Sequence, residues 1–218
     1  MRRREAPAAA QNPFLTVAAA VPAVEVLDRD PLWDDAVVLG GPATPAAAPD
    51  VDVSDVQPWP TVETSDRPTV FVMALHGGAG ASTLAGLLGD GAADAGQRWP
   101  VAAGWERPLP SLPVVAVART HHHGLQAADR LARLWAAGEL PGSTLLGLVL
   151  VDDAPRLLTQ QRRTARRLGR MTPRGWHLPW NEVWRIQPPT PDTTPIRVRR
   201  TVDSIRASAR GNRKDAPR

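Results

Sequence analysis

His76-Gly-Gly-Ala-Gly-Ala-Ser-Thr83 is the stretch on which the fold of this chain turns. Gly77, Gly78 and Gly80 allow the backbone to curl. Just before it, Thr69-Val-Phe-Val-Met-Ala-Leu75 is an apolar, β-rich run that reads as a buried strand. Just after it, Leu84, Leu87 and Leu88 fall at helical spacing. In the order strand, glycine turn, helix start, successive N–H groups converge on one anion and the helix terminus adds partial positive charge. Gly77, Gly78, Ala79, Gly80, Ala81, Ser82 and Thr83 are therefore the candidate binding residues, and Ser82 offers its hydroxyl to a magnesium ion.

Further along, the chain keeps alternating strand and helix. Leu112 to Arg119 and Leu145 to Val151 read as two more buried strands. Leu125, Ala128, Leu131, Ala132 and Trp135 mark a helix that Gly138 and Pro141 end, and Leu158, Ala165 and Leu168 mark another. The last helix is predicted to start at Thr194-Pro195, with Val198, Val202, Ile205 and Ala209 as its apolar stripe. Such alternation predicts an α/β domain with a mostly parallel sheet covered on both faces, over residues 67–210. Residues 211–218 read as a basic, frayed tail.

The rest of the chain bounds the function. It has 218 residues, enough for one sizeable domain or two small ones. With no cysteine, disulfides, thiolate metal sites and cysteine nucleophiles are excluded, and a reducing cytoplasm is compatible. No apolar run is long enough for a transmembrane helix. Of 26 basic residues only Lys214 is lysine, so the arginine bias points first to a GC-rich genome. Charge is polarised: residues 1–66 carry net −7, residues 67–155 net −1 and residues 156–218 net +12. Residues 1–66, rich in Ala, Pro and Asp, read as a mostly disordered acidic arm. Two apolar islands interrupt it, Phe14–Leu27 and Leu32–Leu39. Complementary charge supports either an intramolecular contact between this arm and the basic carboxyl-terminal region or the binding of a partner protein.

The glycine stretch resembles the deviant Walker A loop of ParA/MinD-type ATPases, Lys-Gly-Gly-x-Gly-Lys-[Ser/Thr]-Thr. Gly77, Gly78, Gly80, Ser82 and Thr83 match it; His76 stands at the first lysine position and Ala81 at the second. Val114–Thr120 followed by Gly124-Leu125 resembles a later strand of the family. Leu145–Asp152 resembles the next, with Asp152 where the family has an asparagine near the base, and His177–Asn181 resembles its Pro-centred loop. Missing between the loop and Leu112 is a hydrophobic strand ending in Asp; only Asp90, Asp94 and Glu106 lie there. The resemblance implies a three-layer P-loop-like fold, ATP or ADP with Mg2+ in the loop, and a homodimer. Without its lysines the loop points to a degenerate, non-hydrolysing accessory or regulatory component of a bacterial mobile-element, partition or conjugation system. Two alternatives are an active ATPase in which an arginine replaces lysine, and a ligand-free adaptor.

Three further groups stand out. His121-His122-His123 follows the second strand; in an extended segment, His121 and His123 would share one side. Arg162, Arg163, Arg166, Arg167 and Arg170 make one broad cationic helix face, suited to DNA, an anionic surface or an acidic protein segment. Arg197, Arg199, Arg200, Arg206 and Arg210 make a second. Trp176, Trp180 and Trp184 recur every four residues, but Pro179 between them argues for a strand and loop.

Overall fold

The computed structural model describes residues 38–190 and 192–215. The island Phe14–Leu27, most of Leu32–Leu39 and the end of the basic tail lie outside them. In chain order the strands are β1 (Val38–Gly40), β2 (Thr61–Thr64), β3 (Val70–Ala74), β4 (Ala92–Asp94), β5 (Trp99–Ala102), β6 (Leu112–Arg119), β7 (Ser143–Val151) and β8 (Arg174–Leu178). The helices are α1 (Ala81–Leu88), α2 (His122–Ala136), α3 (Thr159–Gly169) and α4 (Ile196–Asp215). The main sheet has the order β1-β8-β7-β6-β3-β4, parallel except for β1, which runs antiparallel on β8. β2 and β5 form a separate parallel pair.

Alternate residues of the central strands feed two cores, one on each face. Phe71, Met73, Val114, Ala116, Leu148 and Leu150 pack with Leu125, Ala128 and Leu131 of α2 and Leu168 of α3. Val70, Val72, Val115, Val117 and Val149 pack with Leu84 and Leu88 of α1 and Val198, Val202 and Ile205 of α4. A parallel sheet with helices on both faces buries both sides of each strand, which is why β3 and β6 read as continuous apolar runs.

The expectation of a disordered arm through residue 66 is corrected for its described part. Leu39 in β1 and Trp59 are buried, and β2 pairs with β5. Arg130 of α2 stacks its guanidinium 4.7 Å from the Trp59 ring and donates to the carbonyls of Gln57 (2.8 Å) and Pro58 (2.7 Å). Arg133 donates to the Asp52 carbonyl (2.6 Å) and the Asp55 carboxylate (2.9 Å). The prolines here prevent a lasting α-helix but allow extended chain and the short 3-10 turn Pro45–Ala47, and arginine side chains take carbonyls that no strand partner would meet. Asp52 and Asp55 therefore meet arginines of α2, not of the carboxyl-terminal region.

Two more boundaries move. α4 starts at Ile196, one residue after Pro195, and the Thr194 hydroxyl ahead of it donates to the Thr190 carbonyl (2.6 Å). It also runs on to Asp215, through the first half of the expected tail. Between the loop and Leu112 there is, after all, a strand ending in an acid: β4, only Ala92-Ala-Asp94. Small residues suffice there because β4 is a short edge strand in contact with α1.

Candidate functional site

From β3 the chain crosses to β4 on one side, whereas β6, β7 and β8 build up on the other, and α1 and α2 cover opposite faces. Connections thus diverge at β3, and the crevice beyond the carboxyl ends of β3 and β6 is where open parallel sheets accept ligands. Residues 76–83 fill it. Gly78 and Gly80 sit at φ 73° and 100°, in the left-handed region that glycine alone enters cheaply. Among the described residues Ala79 donates its amide to the His76 carbonyl (3.3 Å), whereas the amides of Gly77, Gly78, Gly80, Ala81, Ser82 and Thr83 meet no acceptor. All seven candidate loop residues, together with His76, Asp94, Gly96, Gln97 and Arg119, line one open cavity of about 400 Å³.

His76 does not replace the cation its position would carry in the resembling family. Its Nε2 accepts the Arg119 amide (3.0 Å), and its Nδ1–H donates to the Gly77 carbonyl (2.9 Å). Accepting at Nε2 requires the neutral ring. Burial holds its pKa below the ordinary histidine value, the Gly77 carbonyl works against this, and His121, His123 and Arg119 lower it further. Ala81 turns its methyl into the core. The positive charge at the loop comes from Arg119, at the end of β6, whose Nε donates to the Gly78 carbonyl (3.0 Å). On the other wall the Ser82 hydroxyl donates to Asp94 Oδ2 (2.5 Å), and Asp94 Oδ1 accepts the Gly96 amide (2.8 Å). Ser82 and Thr83 also line an adjoining cavity of about 670 Å³ between α1 and α4, bordered by Leu87, Pro188, Thr190, Arg199 and Val202.

The histidine triplet is not extended. His121 caps α2, its Nδ1 accepting the Gly124 amide (3.0 Å), and His122 and His123 form the first turn. The ring of His76 lies 4.7 Å from that of His121 and 6.4 Å from that of His123. A side chain at Gly124 would strike the Arg119 carbonyl and His76, so glycine there lets α2 start against the loop. Among the described residues no group of three or more His, Asp or Glu could hold a metal ion, so the triplet does not form a ligand set.

The two arginine groups lie on opposite faces of the sheet, since α3 joins one core and α4 the other. Arg206, partly exposed and paired with Asp203 (3.1 Å), also donates to the carbonyls of Leu87 (2.9 Å) and Leu88 (3.2 Å) and so closes the end of α1. Asp152 lies away from the loop cavity and accepts a hydrogen bond from His177 Nε2 (2.8 Å). The functional residues that sequence reasoning missed are Arg119 and Asp94. The first is a single charge at the end of an apolar run, which periodicity alone could have flagged; the second follows only two alanines and gave no strand signal.

No helix among the described residues is long and apolar enough to cross a membrane. No curated protein and no solved structure matches the chain. One family model matches residues 68–202, described as a family of unknown function (DUF6668). Its span takes in β3, the loop, α1, Asp94 and Arg119 and reaches into α4, so the chain belongs to the DUF6668 family.

Proposed function

We propose that this chain is a degenerate relative of ParA/MinD-type ATPases, with a P-loop-like three-layer domain that holds a phosphate or nucleotide weakly without hydrolysing it. On this reading it is an accessory or regulatory component of a bacterial mobile-element, partition or conjugation system. The observation that carries it is the set of loop amides without an acceptor among the described residues, those of Gly77, Gly78, Gly80, Ala81, Ser82 and Thr83, at the point where strand connections diverge and beside the Arg119 guanidinium. An anion fits this set: N–H groups and a guanidinium supply donors, while Asp94 opposite Ser82 suits a bridging Mg2+ better than bare phosphate. Weak binding follows from the loss of both lysines, because arginine held by a carbonyl at the loop's edge is less able to follow phosphate into the cradle.

Calorimetry with ATP, ADP, GTP and inorganic phosphate, with and without Mg2+, is the test. Binding in the high micromolar to millimolar range is expected. Absence of heat with every ligand at millimolar concentration removes the reading. The presence of Arg119 and of Ser82 with Asp94 around one cavity favours a second reading, an active ATPase. Turnover that disappears in Ser82→Ala would establish it in place of the first.

A further inference from the structure

We propose that the acidic stretch Glu25–Asp35 of this same chain docks on the arginine stripe Arg162, Arg166 and Arg170 of α3. This site is separate from the loop and does not depend on what the loop binds. Arg162 and Arg166 lie on the 11-residue α3 and Arg170 is its carboxyl-terminal cap, each four residues from the last, so they form one row. The flank carrying Gln160, Gln161, Thr164 and Arg167 borders a cleft with α2, where Arg167 pairs with Asp129 (3.5 Å). By the helical pitch, the row lies on the other flank, towards the edge strand β1. Contacts there agree: Gly169 faces Leu39, and the Arg170 carbonyl lies against Gly41. Among the described residues, Arg162 and Arg170 enter no ion pair.

The described chain begins at Val38, in β1, beside this flank. Because β1 is antiparallel to β8, moving backwards from Gly40 to Val38 leads from the level of Arg174 to that of Trp176, along α3 from its carboxyl end towards its amino end. Asp34 and Asp35 lie within about 10–15 Å of chain from Val38, and Glu25 within about 45 Å, whereas α3 is only about 16 Å long. Glu25, Asp28, Asp30, Asp34 and Asp35 against Arg29 give the stretch net −4. Charge sign, point of exit and reach coincide at one face. Residues 52–59 follow the same logic, held by Arg130 and Arg133 of α2. In this state the stripe is occupied from within, and an outside polyanion must displace the segment to use it.

The absence of cysteine makes the test direct. Spin labels on Pro31→Cys and Arg163→Cys in the full chain are expected to give a narrow distance distribution at low salt. It should widen at about 1 M salt, where the Debye length is about 3 Å. Arg162→Glu with Arg166→Glu and Arg170→Glu should widen it too. Neutralising the segment (Asp28, Asp30, Asp34 and Asp35 to Asn) should do the same without touching the folded core, and should raise affinity for a short DNA duplex about tenfold at low salt. A broad distribution in the unaltered chain at low salt, or one insensitive to the Asn changes, overturns the proposal. So does equal duplex binding with and without the changes, which would make the stripe an open nucleic-acid face. A short distance between mixed singly labelled chains overturns it in favour of contact between copies.

Discussion

Two polar clusters occupy the same rim of the sheet and use their groups in opposite ways. Beyond β3 and β6, the loop amides, Arg119, Ser82 and Asp94 surround a cavity. Beyond β7 and β8, His177 and Asp152, 8% and 13% exposed, bond to each other, and His177 Nδ1 meets Arg197 Nη2 at 3.4 Å. Next to them the Thr120 hydroxyl donates to Asp153 Oδ1 (2.8 Å) while the Asp153 amide returns to the Thr120 oxygen (3.1 Å). In the second cluster donors and acceptors consume one another, which is the arrangement of a clamp; in the first, several amides meet no acceptor among the described residues. A conventional reading by residue type would have ranked the buried Asp–His pair as the better site, and only the direction of the hydrogen bonds separates the two.

The sharpest way to break this contrast is His177→Ala. It leaves the partly buried Asp152 carboxylate without the His177 donor, and a loss of about 2 kcal/mol is expected in denaturant unfolding, with phosphate binding by the folded fraction unchanged. Loss of binding without loss of stability would exchange the roles of the two clusters. Gly78→Ala is expected to cost about 1–2 kcal/mol through its positive φ and to abolish anion binding as well. Normal calorimetric binding in that variant would take the loop out of the site. Arg119→Gln should weaken phosphate or nucleotide binding about tenfold and move the thermal midpoint little, since its side chain is bonded to one carbonyl at the loop. Retained affinity would show that the guanidinium is not a ligand.

The smallest effect concerns pH. The folded His76 has a lowered pKa, so below the unfolded value near 6.5 the unfolded state binds the extra proton, and stability falls as pH drops through that window. His76→Gln keeps a donor and an acceptor without titrating, and the melting temperature of that variant should fall less between pH 7 and pH 5. Equal slopes in the two proteins would show that His76 is protonated in the fold.

The fold was legible where burial dictates residue type. β3, β6, β7 and α2 lie on both sides of a dry core, so their apolar periodicity is dense, and the glycines of the loop announce their own turn. β1, β2, β4 and β5 escaped notice because a three- or four-residue strand at a sheet edge or in an isolated pair needs no apolar run. The folding of residues 38–66 was equally hidden, because what secures it is long-range: Arg130 and Arg133 reach residues more than seventy positions earlier. In the candidate site, the loop could be read because phosphate cradles are local in sequence. Arg119 and Asp94 come to it from other strands, and His76 looks cationic in sequence but is fixed neutral by a backbone amide supplied from β6.

Helix α2 has its amino end spliced against the loop, through the cap at His121 and the bare backbone of Gly124, and two or three turns further on it grips residues 52–59. It therefore works as a beam with a tenant at each end. One rigid element thus anchors both the rim of the cavity and the hold on Trp59.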